Sequence, residues 1–294
     1  MKLIGKCRSV VFVVFVVLGC CLSSMVQSAE TLVFTAIPDQ DESRLRARFS
    51  TVASYLQERL GVDVRYLPVK SYGAAVTAFK NDQVQLAWFG GLSGVRARSR
   101  VPGSSAIAQG YEDQFFTSYF IVNRQQVSFA TSADIISTSM TSLDGLKGLT
   151  FSFGSKGSTS GRLMPEFYIR KHFSSAPKDV FSRVGFSGDH SRTIALVESG
   201  AFQAGAVNYK VWEKTVAQGS VDTEKVAVVW KTPVYPDYQW TIRGGADQRF
   251  GKGFTTKVTR ALLDMTEPAL LNAFPRKSFV PAHNDDYEPI VKVA

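Results

Sequence analysis

The sequence predicts an α/β fold made of two mainly parallel α/β units in series. Short β-branched runs alternate with helical patterns along the chain, and no repeat or low-complexity segment interrupts the alternation. This strand–helix rhythm is typical of mainly parallel sheets that are covered by helices. The 294 residues are enough for two domains of ordinary size, each with its own core.

The first unit is predicted to occupy residues 30–120. Its elements alternate in the order strand 31–38, helix 41–61, strand 62–69, helix 71–81 and strand 84–90. The first helix is indicated by apolar residues at helical spacing, which are Leu45, Phe49, Val52, Leu56 and Leu60. Gly61 then ends this helix.

The second unit is predicted to occupy residues 121–235. It continues the alternation with strand 149–154, helix 161–173 and the segments 181–188, 194–199, 202–208 and 209–217. Sheets of this kind bind ligands beyond the carboxyl ends of their strands. The segments that follow strands are therefore the candidate binding segments.

Two strand-like stretches, 117–124 and 226–243, are candidates to connect the units. If both cross, residues 236–294 return to the first unit, and two lobes are joined by a two-strand hinge. Such a plan suits closure around a ligand. The residue pattern leaves two alternatives open, which are one continuous sheet and two independent domains.

The first 29 residues have the layout of a secretory signal peptide. Lys2, Lys6 and Arg8 precede an apolar run at 10–18, and small residues follow near Ser28. The run is too short to anchor the chain in a bilayer, so we expect export to the periplasm.

All three cysteines, Cys7, Cys20 and Cys21, lie in this leader. After cleavage the chain would have no thiol, and therefore neither a disulfide nor a thiolate metal site. A lipid on Cys20 is the alternative, but Leu18 is bulky where a lipoprotein signal has a small residue, so the soluble form is favoured.

The net charge of +9 becomes +6 without the three basic residues of the leader. The chain has no basic tail and no block of lysines, which disfavours nucleic acid as a partner. Scattered basic residues on a solvated surface and a field that favours anions are both consistent with this charge.

One segment between a predicted strand and a predicted helix has the composition of an anion site. It reads Gly-Ser-Lys-Gly-Ser-Thr-Ser-Gly over residues 154–161. Such a turn presents backbone N–H groups and hydroxyls at the positive end of a helix dipole. An ordinary helix cap in a serine-rich turn is the alternative. The spacing fits neither a nucleotide-binding P-loop nor a G-x-S-x-G nucleophile elbow.

This turn, followed by Leu163-Met164-Pro165, resembles the anion-binding turn of the phosphonate-binding family of periplasmic binding proteins. Further motifs in matching order are Ile37-Pro38, Ser71–Ala75, Val84–Gly90, Phe186–His190, Phe279–Pro281 and Asp286-Tyr287. The resemblance implies a type II periplasmic binding protein, with two lobes on a two-strand hinge. It implies the solute-binding subunit of an ABC importer for a small tetrahedral oxyanion such as phosphonate, phosphite or phosphate.

The resemblance also implies the ligand-binding residues. Ser158, Thr159 and Ser160 would hold the oxygens of the anion from the second lobe, and Tyr72 would contribute its phenol from the first. His190 would donate a hydrogen bond to the anion.

Other positions of the family's pocket fall on Trp88, Phe89, Gly90, Phe116 and Ser118. Ser118 is expected to act as a donor and Phe116 as a wall. The tryptophan and other aromatic residues near it are equally consistent with core packing.

Two further positions, Asn208 and Asp237, bear on selectivity. If Asp237 lines the site, its carboxylate would repel an anion unless a proton lies between them, so it would select protonated oxyanions or aminoalkyl groups. A turn beside Pro236 is the alternative role. Gln85 and Asn208 replace acidic residues that are common in the family, which disfavours aminoethylphosphonate.

The sequence disfavours an enzyme and leaves two variants of the binding function open. An enzyme would need an activated serine, and nothing in the sequence activates Ser158 or Ser160, so no enzymatic activity is expected. Only three histidines are present, without paired spacing, so neither a metal nor another cofactor is expected. Selenate or sulfate as ligand, and a membrane histidine kinase in place of the permease as partner, stay open. The protein is expected to act as a monomer.

Overall fold

The computed structural model describes residues 30–40, 42–127 and 142–294. The predicted leader, with its cysteines, lies outside the described residues. Within them the strands are, in chain order, β1 (Leu32–Ala36), β2 (Val64–Tyr66), β3 (Leu86–Phe89), β4 (Ser105–Gly110), β5 (Ser118–Asn123), β6 (Thr150–Phe153), β7 (Arg183–Phe186), β8 (Ala204–Asn208), β9 (Val226–Lys231), β10 (Gln239–Ile242) and β11 (Phe279–Pro281).

The helices are likewise numbered in chain order. They are α1 (Glu42–Leu60), α2 (Tyr72–Lys80), α3 (Gly91–Arg100), α4 (Met164–Phe173), α5 (Pro177–Val180), α6 (His190–Glu198), α7 (Tyr209–Ala217), α8 (Ala246–Phe250), α9 (Phe254–Leu263), α10 (Pro268–Leu271) and α11 (Glu288–Val293). A π-helical turn at Thr159–Leu163 leads directly into α4. No helix in these ranges is both long enough and apolar enough to span a bilayer.

The strands form two sheets, which define two lobes. The first sheet has the order β11-β4-β10-β3-β1-β2, and the second has the order β7-β6-β8-β5-β9. The predicted architecture of two α/β lobes is therefore confirmed. Both sheets are mixed rather than mainly parallel. In each, a strand that follows a crossing, β10 or β5, pairs antiparallel with both of its neighbours.

The two crossings between the lobes, residues 111–117 and 232–238, lie side by side. Phe116 and Tyr235 form an isolated antiparallel bridge, with N···O distances of 2.9 and 3.0 Å. Two more backbone hydrogen bonds, Thr232 to Ser118 and Asp237 to Asp113, continue the pairing on either side. The domain boundaries predicted at 120/121 and 235/236 lie close to these crossings and stay a prediction.

Each lobe has its own aromatic core. In the first lobe, Trp88 and Trp240 pack on Phe274 with ring centroids 5.2 and 5.4 Å apart. In the second lobe, Phe151 stacks on Phe181 at 4.5 Å. Aromatic side chains contribute large buried areas, so these clusters stabilise each lobe and support the site between them.

Candidate functional site

The ends of four strands meet between the lobes. Asp39 and Gly90 follow β1 and β3 of the first lobe, while Gly154 follows β6 and Asn208 ends β8 of the second. The lobes touch here, since the backbone N–H of His190 donates to the carbonyl of Asp39 at 3.1 Å. The carboxyl edges of the two sheets thus face each other, as expected for a ligand site in an α/β protein.

The turn after β6 contains the predicted anion-binding residues. Ser158 caps the π-helical turn, because its hydroxyl accepts from the N–H of Gly161 at 2.9 Å. The backbone N–H groups at the start of a helix lack partners within that helix, so those of Thr159 and Ser160 are available to an anion. All three side chains are buried. π-Helical turns are rare and frequently occur at functional sites.

Thr159 joins this turn to the first lobe. Its Oγ1 accepts from the backbone N–H of Leu92 at 3.0 Å. A Cβ built on Gly90 would lie 3.3 Å from the same Oγ1 and 3.1 Å from Asp237 Oδ1. The absence of a side chain at Gly90 therefore lets the beginning of α3 approach the turn closely.

Asp237 lies beside the turn, in the second crossing. It is 1% exposed, its Oδ1 accepts from the N–H of Gly91 at 2.8 Å, and its Oδ2 has no partner among the described residues. Burial raises the pKa of this carboxyl to about 7, although the N–H of Gly91 and the nearby hydroxyls of Thr159 and Ser160 oppose the shift. Neither hydroxyl makes a hydrogen bond of ordinary geometry to Oδ2.

His190 lies on the other side of the turn, at the beginning of α6. A Cβ built on Gly161 would lie 2.9 Å from the Cε1 of His190 and 3.1 Å from the hydroxyl of Ser158, so ring and turn are in contact. Its Nδ1 accepts from the backbone N–H of Asn208 at 3.2 Å, while its Nε2 is buried without a partner in the described chain. Burial lowers the pKa of the imidazole to about 3.

These contacts determine the protonation state of His190. A nitrogen that accepts a hydrogen bond cannot carry the proton, so the neutral ring has its proton on Nε2. The imidazole therefore presents one N–H donor to the site.

Tyr72 closes the site from the first lobe. It is buried at the start of α2. Burial raises the pKa of its hydroxyl well above the usual value, which the nearby side chain of Ser158 partly opposes. A Cβ on Gly157 would lie only 2.8 Å from the Cβ of Tyr72. The backbone of the second lobe thus packs directly on this tyrosine.

Ser118 supports the turn. Its hydroxyl donates to the carbonyl of Ser160 at 2.7 Å and shares a 2.6 Å hydrogen bond with the hydroxyl of Tyr235. Phe116, in the first crossing, is fully buried, and its ring packs on Tyr209 at 4.8 Å and on Tyr238 at 5.5 Å. Ser118 is predicted to donate to the ligand, but in this structure its hydroxyl positions the turn.

Asn208 is fully engaged in protein contacts. Its Oδ1 caps α7, and its Nδ2 donates to the hydroxyl of Tyr238 at 2.9 Å. Tyr238 in turn donates to Asp39 Oδ2 at 2.8 Å. This chain of hydrogen bonds links the two lobes beside the site. Burial raises the pKa of Asp39, which the Tyr238 hydroxyl partly opposes.

Trp88 and Phe89, the two aromatic residues of β3, lie on opposite faces of the sheet. Trp88 stacks on Tyr238 at 5.5 Å, which places it behind the polar chain. Phe89 points to the opposite face of the sheet, where its ring packs on Phe79 at 5.6 Å in the core of the first lobe. Alternation along a strand separates the two side chains in this way.

The sequence did not indicate a buried ion pair that lies against the aromatic rings beside the site. Arg276 donates bidentately to Asp113 at 2.7 and 2.8 Å, and its guanidinium lies 5.1–5.9 Å from the ring centres of Trp88, Phe116 and Tyr238. Burial alone would lower the pKa of Arg276. The charge and hydrogen bonds of Asp113 outweigh burial, so the pKa of the guanidinium is raised. Asp39 was also missed, although its position just after β1 is a detectable signal. Nothing in the local sequence pairs Arg276 with Asp113, which is 163 residues away.

The buried donors and the unpaired carboxylate oxygen of Asp237 suit a small anion with a protonated oxygen. In the described part of the chain, no group of three or more His, Cys, Asp and Glu side chains could hold a metal ion. Two lobes that enclose such a site and are connected by paired crossings define a solute-binding protein.

Comparison with known proteins gives the family. Residues 34–287 match the family described as "ABC transporter, phosphonate, periplasmic substrate-binding protein". The chain is 39% identical over 282 residues to the probable ABC transporter phosphite binding protein PhnD1 of Prochlorococcus marinus (strain MIT 9301), covering 92% of this chain and 91% of that protein. It is 24% identical over 214 residues to the phosphonates-binding periplasmic protein of Escherichia coli, covering 71% and 60%.

Solved structures agree. The structure of PhnD1 from Prochlorococcus marinus in complex with methylphosphonate superposes with a TM-score of 0.81 at 40% identity, covering 90% of this chain and 96% of that chain. A binding protein component of an ABC phosphonate transporter from Pseudomonas aeruginosa shares the fold, with a TM-score of 0.75 at 19% identity, covering 90% of this chain and 85% of that one.

The chain therefore belongs to the family of periplasmic substrate-binding proteins of ABC phosphonate transporters. This confirms the predicted family, the type II binding-protein fold and the role as a transport subunit rather than an enzyme. Family membership also implies a periplasmic location.

Proposed function

We propose that this protein binds a phosphite or a small phosphonate between its lobes and delivers it to the membrane permease of an ABC importer. Phosphate, which is also a small tetrahedral oxyanion of phosphorus, is included among the proposed ligands. The leader at 1–29 would direct export, with cleavage to a soluble, monomeric form. The phosphite named for the 39% identical relative and the methylphosphonate bound in the similar structure support this class of ligand.

The observation that carries the proposal is a pair of unsatisfied polar atoms on opposite sides of the turn. His190 Nε2 and Asp237 Oδ2 are buried without partners in the described chain. Leaving such atoms unpaired is unfavourable, so they are expected to meet a ligand. One is a donor and the other, when ionised, an acceptor. A tetrahedral anion that bears both O⁻ and O–H oxygens satisfies the two together.

Asp237 gives the site its selectivity. A carboxylate next to an anion requires a shared proton. Phosphite and alkylphosphonates keep an oxygen that titrates near neutral pH, whereas sulfate and selenate do not. The carboxylate therefore favours the phosphorus oxyanions, and the selenate or sulfate alternative depends on Asp237 itself being protonated.

Binding is proposed to occur by hinge closure. The Leu92–Thr159 and Asp39–His190 hydrogen bonds join the lobes across the site, and the paired crossings 111–117 and 232–238 provide two connections about which the lobes can rotate. A ligand that contacts both lobes stabilises the closed arrangement by its differential affinity. Either a permease or a membrane histidine kinase would read the closed form, and the transporter family favours the permease.

The ligand class is tested by thermal shift and calorimetry of the purified protein. The panel is phosphite, methylphosphonate, phosphate, aminoethylphosphonate, sulfate and selenate. We expect the largest stabilisation with phosphite or methylphosphonate. Stabilisation confined to sulfate and selenate would overturn the proposal.

The turn is tested separately with Ser160→Ala. Loss of a hydrogen bond to a charged ligand is expected to weaken binding by about 1–3 kcal/mol. The matched control is Ser174→Ala, which removes a serine hydroxyl at the exposed C-cap of α4, at the other end of the helix that follows the turn. Equal affinity of the Ser160 and Ser174 variants would remove the turn from the site.

A further inference from the structure

A second cavity lies outside the proposed ligand site, at the boundary between the lobes. It has a volume of about 110 Å³ and is lined by Tyr72, Gly73, Val76, Ser93, Arg96, Arg100 and Gly157. All of these belong to the first lobe except Gly157, which lies in the anion-binding turn of the second lobe. The cavity is therefore formed by α2, α3 and the second lobe's turn together.

The cavity is positively charged. Arg96 and Arg100 lie one turn apart on α3, and both are exposed. Neither guanidinium forms an ion pair with a carboxylate in the described part of the chain. Arg162 is close enough to Arg96 to repel it, and burial together with this repulsion lowers the pKa of Arg96. Arg162 itself pairs with Glu166 at 2.7 Å.

The cavity lies next to the contact between the lobes that must open before a ligand can enter the proposed site. Tyr72 and Gly157 line the cavity, and they also pack on each other where the lobes meet. Ser158, the next residue after Gly157, lies near the hydroxyl of Tyr72 and caps the anion-binding turn. When the lobes separate, the Tyr72–Gly157 contact must open, and the cavity then joins the site directly.

We propose that Arg96 and Arg100 form an anion-capture vestibule, which attracts the oxyanion from solution and passes it inward as the Tyr72–Gly157 contact opens. This inference rests on the proposed function. Unpaired cations at the mouth of a cleft raise the local concentration of an anionic ligand and its association rate, and salt screens the effect. Because the bound anion lies beyond Tyr72, these arginines act on entry and contribute little to holding it.

The test is stopped-flow tryptophan fluorescence with phosphite, on the variant Arg96→Gln/Arg100→Gln. A matched control, Arg65→Gln/Arg260→Gln, removes the same charge from exposed positions on β2 and α9. At low ionic strength we expect association about 3- to 10-fold slower in the vestibule variant than in the control. The dissociation rates should agree, and the difference should vanish in 1 M salt, where the Debye length is about 3 Å.

The charge-retaining variant Arg96→Lys/Arg100→Lys should keep the wild-type association rate. This variant distinguishes an effect of lost charge from an effect of changed local structure. Equal association rates in the vestibule variant and the control would overturn this inference and leave the proposed function intact. So would a change confined to the dissociation rate. Absence of any phosphite-dependent phase in the wild-type protein, together with no calorimetric binding, would instead overturn the proposed function and this inference with it.

Discussion

Thr159 and Leu92 are joined by a hydrogen bond that crosses from one lobe to the other. The hydroxyl of Thr159 accepts from the backbone N–H of Leu92 at 3.0 Å, and both groups are buried. Because it can form only when the lobes are together, we expect this bond to couple the proposed closure to the turn that is proposed to bind the anion.

Removal of this acceptor is therefore predicted to weaken closure. Thr159→Val keeps the shape but leaves the N–H of Leu92 unpaired in the closed form, so the affinity for phosphite should fall by about 1–3 kcal/mol. Thr159→Ser retains the hydroxyl and is the control. The phosphite affinities of both variants are measured by calorimetry. Similar affinities of Thr159→Val and Thr159→Ser would contradict a role of this hydrogen bond in closure.

Asp237 is predicted to make the stability of the ligand-free protein depend on pH. Its pKa is raised from 3.8 to about 7 by burial, so the folded state binds a proton more tightly than the unfolded state. The stability that comes from this group is complete below pH 3.8 and is lost as the pH rises through about 7. The difference amounts to about 4 kcal/mol at most.

Asp237→Asn isolates this effect, since the amide oxygen can still accept from Gly91 and the other acidic groups are unchanged. Urea denaturation at pH 5 and pH 8 should show a smaller loss of stability in the variant than in the wild type. Parallel pH profiles for the two proteins would show that the carboxyl does not titrate as described.

His190 is predicted to stay neutral, with its proton on Nε2. Its pKa is lowered from 6.5 to about 3 by burial, so the unfolded state takes up a proton first and the protein loses stability as the pH falls from 6.5 toward 3. Nitrogen-15 NMR should show an Nε2–H tautomer that does not change between pH 5 and pH 8. The resonance is assigned by its absence in His190→Gln, and a protonated Nδ1 would contradict the geometry.

Gly157→Ala is predicted to prevent full closure. The new Cβ would lie 2.8 Å from the Cβ of Tyr72, and neither atom can rotate away from the other. Overpacking of this kind costs about 1–3 kcal/mol, which should appear as weaker phosphite binding. Gly73→Ala is the matched control, since its Cβ meets only Ser71 Oγ at 3.9 Å. Equal phosphite affinities of Gly157→Ala and Gly73→Ala would contradict a close contact between Gly157 and Tyr72 in the ligand-bound form.

Local patterns in the sequence were sufficient for most of the secondary structure. The segment delimited at 209–217 has the same bounds as helix α7, and the strand predicted at 84–90 contains β3. Periodicity and capping residues are local signals, so they locate elements to within a few residues. The antiparallel direction of β5 and β10 could not be predicted from local patterns, because each strand pairs with strands that are far away in the sequence.

The turn could be predicted as an anion site because its composition, the preceding strand and the following helix are all local features, within residues 149–173. The sequence by itself thus determined the two α/β units, the family and the segment that holds the anion-binding candidates. Only the tertiary structure showed which candidate residues have their polar atoms engaged in protein contacts and which have one left unpaired. Ser118 and Asn208 turned out to be engaged with Ser160 and Tyr238, whereas the buried Oδ2 of Asp237 and Nε2 of His190 were left unpaired. Which polar atom is satisfied depends on neighbours that folding brings together from both lobes, and no local pattern records those neighbours.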